Sequence, residues 1–402
     1  MYRNLLYCAF LLWGISLVAA ALSPGLPAEP TGDAPRRPVT ANADKAAPRP
    51  LIGYAINLHN VRDIQPHLDA IDELADMGID SLQVLTPVFQ TNGASTRIVF
   101  DPDQAPANQD IIRVLRRAKE RGMTTALMPT VLFHRPRGNE WRGKIAPDEW
   151  DAWWKSYRQV INVFVDVANE AQADMLCVGS ELVSTEAQTD RWVALIAHVR
   201  QRYAGRLYYS TVWNSYHKPQ FWSHLDMIGI CAYFDLTVGA DSAIPDAPFL
   251  ARRWRDIREL LLAYARQQQR PPPPQRPILF TEVGYPSLPW ALREPYNYIL
   301  KPGVAARHDV QAMGLGSFLA AWGDLLRPKQ PAAEKESPLA GAFFYSWEPR
   351  GTGDARDYGY GIKGKPALSV LRKWLKPPNV KPDVSPVSLI GASTNPRDGA
   401  GE

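Results

Sequence analysis

Two carboxylates occupy equivalent places in two apolar runs of this 402-residue chain. Glu181 closes Met175-Leu176-Cys177-Val178-Gly179-Ser180-Glu181. Glu282 closes Pro277-Ile278-Leu279-Phe280-Thr281-Glu282, just ahead of Val283-Gly284-Tyr285-Pro286. Each run has the length and near-continuous apolar character of a buried parallel strand. In a barrel of alternating strands and helices, the C-terminal strand ends share one face, and that face carries the chemistry. Two carboxyl groups on either side of a sugar bond are the equipment for glycoside hydrolysis. One glutamate at a strand end is commonly a structural salt-bridge partner; it is the pair that carries the reading.

The elements needed to position such a pair are present in order. Strand-like runs at 52–56, 81–85, 123–131, 175–179, 207–212, 227–232, 278–281 and 342–346 alternate with helix-like segments. The first helix carries Ile64, Leu68, Ile71 and Leu74 at spacings of three and four, and the second covers 109–120. A long helix from about 147 aligns Trp150, Trp154, Tyr157, Ile161, Phe164 and Ala168. Others carry Trp192, Leu195, Ile196 and Val199, or cover 220–224, 251–268, 304–325 and 367–375. The proline run at 271–274 stops the helix before it. Eight strand–helix units predict an α/β fold, a single-domain (β/α)8 TIM barrel over 51–376. An open doubly wound sheet is the alternative, but no glycine-rich phosphate loop follows any strand.

The flanks read differently. Arg3, an apolar stretch over 5–19 and Ala19-Ala20-Ala21 predict a signal peptide over 1–21, cleaved or kept as an anchor, and hence a secreted or periplasmic/envelope location. The Pro/Ala-rich segment 22–50 reads as a flexible linker, and 377–402 as a disordered tail. The small net charge of +4, with no basic stripe, gives no case for nucleic acid. Beyond the N-terminal segment, no stretch is apolar enough to imply a membrane partner. Cys177 and Cys231 fall in predicted core strands that are not neighbours, which predicts buried free thiols. No His/Asp/Cys cluster has ligand spacing, so neither metal nor cofactor is expected. Most of the 13 tryptophans are expected to pack in the core.

The segments Val178-Gly179-Ser180-Glu181-Leu182-Val183-Ser184 and Thr281-Glu282-Val283-Gly284-Tyr285 resemble glycoside hydrolase family 113. Trp141-Arg142-Gly143, the Trp150, Trp153 and Tyr157 run, and Gly364-Lys365-Pro366-Ala367 agree with it, and the resemblance spans roughly 51–375. It implies a retaining β-1,4-mannanase in which Glu181 is the acid/base and Glu282 the nucleophile. Within the wider clan it implies that Tyr233 hydrogen-bonds the nucleophile and that Trp347 floors the sugar at the cleavage site. Ser180 is a departure, because much of the clan places there an asparagine that bonds the 2-hydroxyl. Trp213, Asn214, His59, Asn60 and Trp141 are further candidates for sugar contact, each following a predicted strand. The expected partner is a polysaccharide or oligosaccharide, and the expected state a monomer. Two alternatives stay open from sequence: a barrel that binds carbohydrate without turnover, and a transglycosylase of the same fold.

Overall fold

The computed structural model describes residues 49–242, 244–268, 276–328 and 337–376. The predicted signal peptide, nearly all of the predicted linker, the proline run and the predicted tail lie outside the described residues. Among the described residues, eight parallel strands close into one barrel, each beside its neighbours in sequence. They are β1 (Leu51–Asn57), β2 (Ser81–Gln90), β3 (Thr124–Phe133), β4 (Met175–Ser180), β5 (Arg206–Val212), β6 (Met227–Cys231), β7 (Ile278–Val283) and β8 (Leu339–Phe344). Around them lie α1 (Gln65–Asp76), α2 (Asn108–Glu120), α3 (Trp150–Ala171), α4 (Thr189–Arg202), α5 (Ala247–Gln267), α6 (His308–Leu326) and α7 (Pro366–Leu375). This is the predicted (β/α)8 barrel. Between β5 and β6 the crossover has only a 3₁₀ turn, Trp222–His224. β2 runs five residues past its predicted end, through Pro87, which pairs with Thr130.

Two apolar clusters hold the layers together. The larger lies between the strands and the helices and takes the apolar faces of the helices. There Trp153, Trp192, Trp222, Trp254 and Trp322 are fully buried, as expected for the majority of the tryptophans. The smaller cluster fills the barrel with alternate strand residues, among them Leu51, Ala55, Met128, Cys177, Tyr208 and Leu279. Cys177 and Cys231 are buried free thiols. Proline in the first turn helps to start α1, α5 and α7, where a missing N–H costs nothing.

The N-terminal end of the barrel is stitched by aspartates that precede even-numbered strands. Asp80 accepts the Ile52 N–H at 2.8 Å, Asp174 the Thr125 N–H at 2.9 Å, and Asp226 the Leu207 N–H at 2.6 Å. Each thus ties down the first residues of the preceding odd-numbered strand. Asp174 also takes Lys119, and Asp226 takes Arg200.

Candidate active site

Both glutamates reach the C-terminal face through a slip in strand register. Along β4 and β5, Cys177 pairs with Tyr208, but Ser180 pairs with Ser210, so β4 spends one extra residue. Along β6 and β7, Ile230 pairs with Phe280, but Cys231 pairs with Glu282, so β7 spends one extra residue at Thr281. A one-residue slip exchanges the inner and outer faces of a strand, and such bulges re-aim side chains beside functional sites. Without the slip Cys231 would pair with Thr281, and Glu282 would face the helices. Glu181 follows its slip directly, and its backbone is left-handed, with φ of 54°. That conformation is costly for a residue with a long side chain. Its N–H is held by Ser210 O at 2.7 Å.

The two carboxylates are buried, at 8% exposure for Glu181 and 4% for Glu282, and they have different partners. The Tyr233 hydroxyl donates to Glu282 Oε2 at 2.5 Å. Burial pushes the Glu282 carboxyl well above the ordinary carboxylate value. The charge of Glu181 pushes the same way, while Arg142 and the Tyr233 hydroxyl oppose both. Burial, with Glu282 beside it, raises the Tyr233 hydroxyl so that it stays a donor. Glu181 Oε2 instead receives Arg142 Nη2 in an ion pair. Burial works against the Arg142 cation, and the charges of Glu181 and Glu282 overcome it.

The other predicted residues separate into two groups. Ser180, next to Glu181 in sequence, and Trp347, after β8, are buried, and Ser180 Oγ and Trp347 Nε1 have no hydrogen-bond partner. Trp347 packs edge-on against Tyr54 at 5.3 Å, and at 1% exposure its ring is closed to solvent in this state. It follows a cis peptide between Tyr345 and Ser346. His59, after β1, is half-buried with an unpartnered Nε2. Three of the remaining four are exposed. Asn60 is exposed, its N–H given to Gln104 O at 2.9 Å. Trp213 packs against Phe234 at 5.7 Å, Asn214 is exposed, and Trp141 is 39% exposed. Among the described residues, none of His59, Asn60, Trp141, Trp213 and Asn214 hydrogen-bonds either glutamate. No group of three or more His, Cys, Asp or Glu among the described residues is arranged to hold a metal ion.

The model of Glycoside Hydrolase Family 113 matches residues 65–324, more than half of the chain and a span that includes both glutamates. The chain belongs to glycoside hydrolase family 113. It is therefore a glycoside hydrolase. Solved structures agree in fold. A family 113 β-mannanase from Alicyclobacillus acidocaldarius, in complex with ManMIm, is 23% identical at a TM-score of 0.67, covering 83% of this chain and 98% of its own. A family 113 β-1,4-mannanase is 21% identical at a TM-score of 0.67, covering 81% of this chain and 98% of its own. A complex of a family 113 β-1,4-mannanase is 21% identical at 0.66, covering 81% and 99%. No curated protein sequence matches the chain.

Within this family 113 barrel, sequence reasoning missed three neighbours of the pair. Arg142 is one residue from the Trp141 singled out for sugar contact, yet it is Arg142 that reaches Glu181. Its signal was a cation inside a motif already noticed. Tyr345 and Tyr360 pack together at 5.1 Å, and Tyr360 lies 6.1 Å from Tyr233. Both come from the segment between β8 and α7. Gln311 Nε2 donates to Tyr285 O at 2.9 Å and Tyr360 O at 3.0 Å, and Lys365 Nζ donates to Ser287 Oγ at 3.0 Å, clamping the two loops.

Proposed function

We propose that this hydrolase cleaves β-linked polysaccharide, β-1,4-mannan foremost, by double displacement with retention. The observation that carries the reading is the Tyr233–Glu282 hydrogen bond at the end of β7, with a second buried carboxylate, Glu181, directly after β4. A hydroxyl donor fixes one lone pair of Glu282 and leaves the other oxygen for attack on the anomeric carbon. Glu282 attacks, the bond to the leaving oxygen breaks, and Glu181 supplies that oxygen with a proton. Water then attacks the same carbon, gives its proton to Glu181, and returns the electron pair to Glu282. Ser180 Oγ and Trp347 Nε1, buried without partners, are suited to sugar hydroxyls because binding would satisfy them. The family 113 β-mannanases of matching fold support mannan as the substrate. Export through the N-terminal segment belongs to the same reading and rests on sequence alone.

The test is a panel of mannan, glucomannan, xylan and β-glucan, with reducing ends counted and the first-released anomer read by NMR. Release from mannan and glucomannan with the β-anomer appearing first is expected. Release confined to xylan or β-glucan would overturn the substrate, and an α-anomer appearing first would overturn double displacement.

A further inference from the structure

The acid step needs a neutral Glu181, yet in this structure Glu181 is ion-paired with Arg142. The pair is enclosed, with side-chain exposure of 21% for Arg142 and 11% for Glu181. Arg142 is not a loose surface cation. It opens the 3₁₀ turn Arg142–Lys144 between β3 and α3, and that turn is anchored. Lys144 N–H donates to Trp141 O and Ala146 N–H to Gly93 O, both at 2.8 Å, while Gly93 N–H donates to Glu140 Oε2 at 3.1 Å. The Trp141 ring lies so close over Gly143 that a Cβ there would meet it at 2.3 Å. A second observation concerns the same guanidinium: its Nε is buried and has no partner. The groups facing Arg142 are Glu181 from the end of β4, Glu282 from β7, Cys231 from β6 and Tyr345 after β8. Glu181 also faces Tyr360 and Cys231. Within this set Arg142 supplies the cation.

We propose that Arg142 is a positioning residue on the leaving-group side of the cleft, displaced from Glu181 by the incoming glycan and then held to a leaving-group hydroxyl through its free Nε–H. This rests on the double-displacement reading above. Glu181 must turn its proton toward the glycosidic oxygen, which puts whatever lies beside it next to the leaving sugar. A neutral glycan cannot replace Arg142 as the counter-charge. Glu181 therefore takes up one proton from solvent as substrate displaces the guanidinium, passes it to the leaving oxygen as the C–O bond breaks, and regains one from the attacking water. That proton returns to solvent when product leaves and the ion pair re-forms. The pair thus keeps the acid unloaded until a glycan is in place.

The experiment compares pH profiles on a manno-oligosaccharide. The basic limb of kcat/KM reports the free enzyme and that of kcat the bound enzyme. In the wild-type chain the kcat limb is expected at higher pH than the kcat/KM limb, because the ion pair with Arg142 belongs to the free enzyme alone. Arg142→Gln should raise the kcat/KM limb to meet it, with a greater loss on the oligosaccharide than on an aryl glycoside that needs little acid assistance. Arg142→Lys, which keeps the charge but lacks Nε, should keep the limbs apart and raise KM for the oligosaccharide. Coincident limbs in the wild-type chain, or equal losses on both substrates with limbs unmoved, would overturn the proposal. The wild-type comparison decides even if Arg142→Gln does not fold. Absence of turnover on every β-glycoside would overturn the glycosidase reading and this inference with it, whereas turnover with coincident limbs overturns the inference alone.

Discussion

Carboxylates sit at both ends of this barrel, and their surroundings differ. At the N-terminal end, Asp80, Asp174 and Asp226 each accept a backbone N–H from the preceding odd-numbered strand, and two of them also take a cation. Strand register there is undisturbed from β1 to β3, while β7 and β8 slip between Ile278 and Leu279. At the C-terminal end, Glu181 and Glu282 each follow a register slip, and one has a left-handed backbone. Around them Ser180 Oγ, Trp347 Nε1 and Arg142 Nε are buried with no partner. The same functional group does two jobs. Where its hydrogen bonds close on the protein's own backbone it holds strands together. Where nearby polar groups remain unsatisfied, and a long side chain sits on a left-handed backbone, it is placed for chemistry.

The contrast can be broken from either end. The largest effect is expected from Glu282→Gln, which under the proposed double displacement should cut turnover on the order of 10⁴- to 10⁶-fold. The same variant should be more stable than the wild-type chain at neutral pH. Glu282 holds its proton to higher pH in the folded state than in the unfolded state. Its contribution is therefore fully present below the unfolded value and is lost as pH rises through the folded one. Melting curves of the two chains should converge in acid and separate above it; a less stable variant at neutral pH would contradict this. Next, Tyr233→Phe removes a donor to a charged oxygen, and a loss of about 10- to 100-fold in kcat/KM is expected. Its acid limb should move to higher pH, because the hydroxyl opposes the rise of Glu282. An unmoved limb would make Tyr233 a packing residue. Asp174→Ala at the other end should cost about 1 to 3 kcal/mol in denaturant titration by freeing the Thr125 N–H, while turnover per folded molecule stays unchanged. Loss of turnover without loss of stability there would erase the distinction between the two ends. Gly284→Ala is expected to lower stability and turnover together, since the backbone on one side must shift. Its Cβ would meet Tyr345 O at 2.2 Å, and that backbone leads directly to Trp347.

The architecture was legible in the sequence where one face of an element meets water. α2 shows its buried stripe, Ile111, Ile112, Val114, Leu115 and Ala118, because polar residues fill the rest of its turn. Strands buried on both faces could be located as apolar runs but not phased. All six positions of β7 are buried, so nothing in its composition marks Thr281 as the extra residue that turns Glu282 inward. β2 was predicted to end at Leu85, yet the ladder continues through Pro87 to Gln90. Tyr233 could be placed from the resemblance, and the structure puts its hydroxyl on Glu282. Arg142 could not be placed so, because the side chain that looked suited to a sugar, Trp141, is its neighbour. A long flexible cation gives no periodic sign of which way it points.

The central claim is that Glu282 becomes covalently glycosylated while Glu181 serves it as acid and base. The most direct test is to trap that intermediate with 2-deoxy-2-fluoro-β-mannosyl fluoride and map the adduct by mass spectrometry of peptic fragments. The account predicts stoichiometric labelling on the fragment carrying Glu282, absent in Glu282→Gln and slowed little in Glu181→Gln because fluoride leaves without acid help. A label on Glu181 or on any other side chain, or an enzyme that turns over mannan yet never accumulates the adduct, would contradict it.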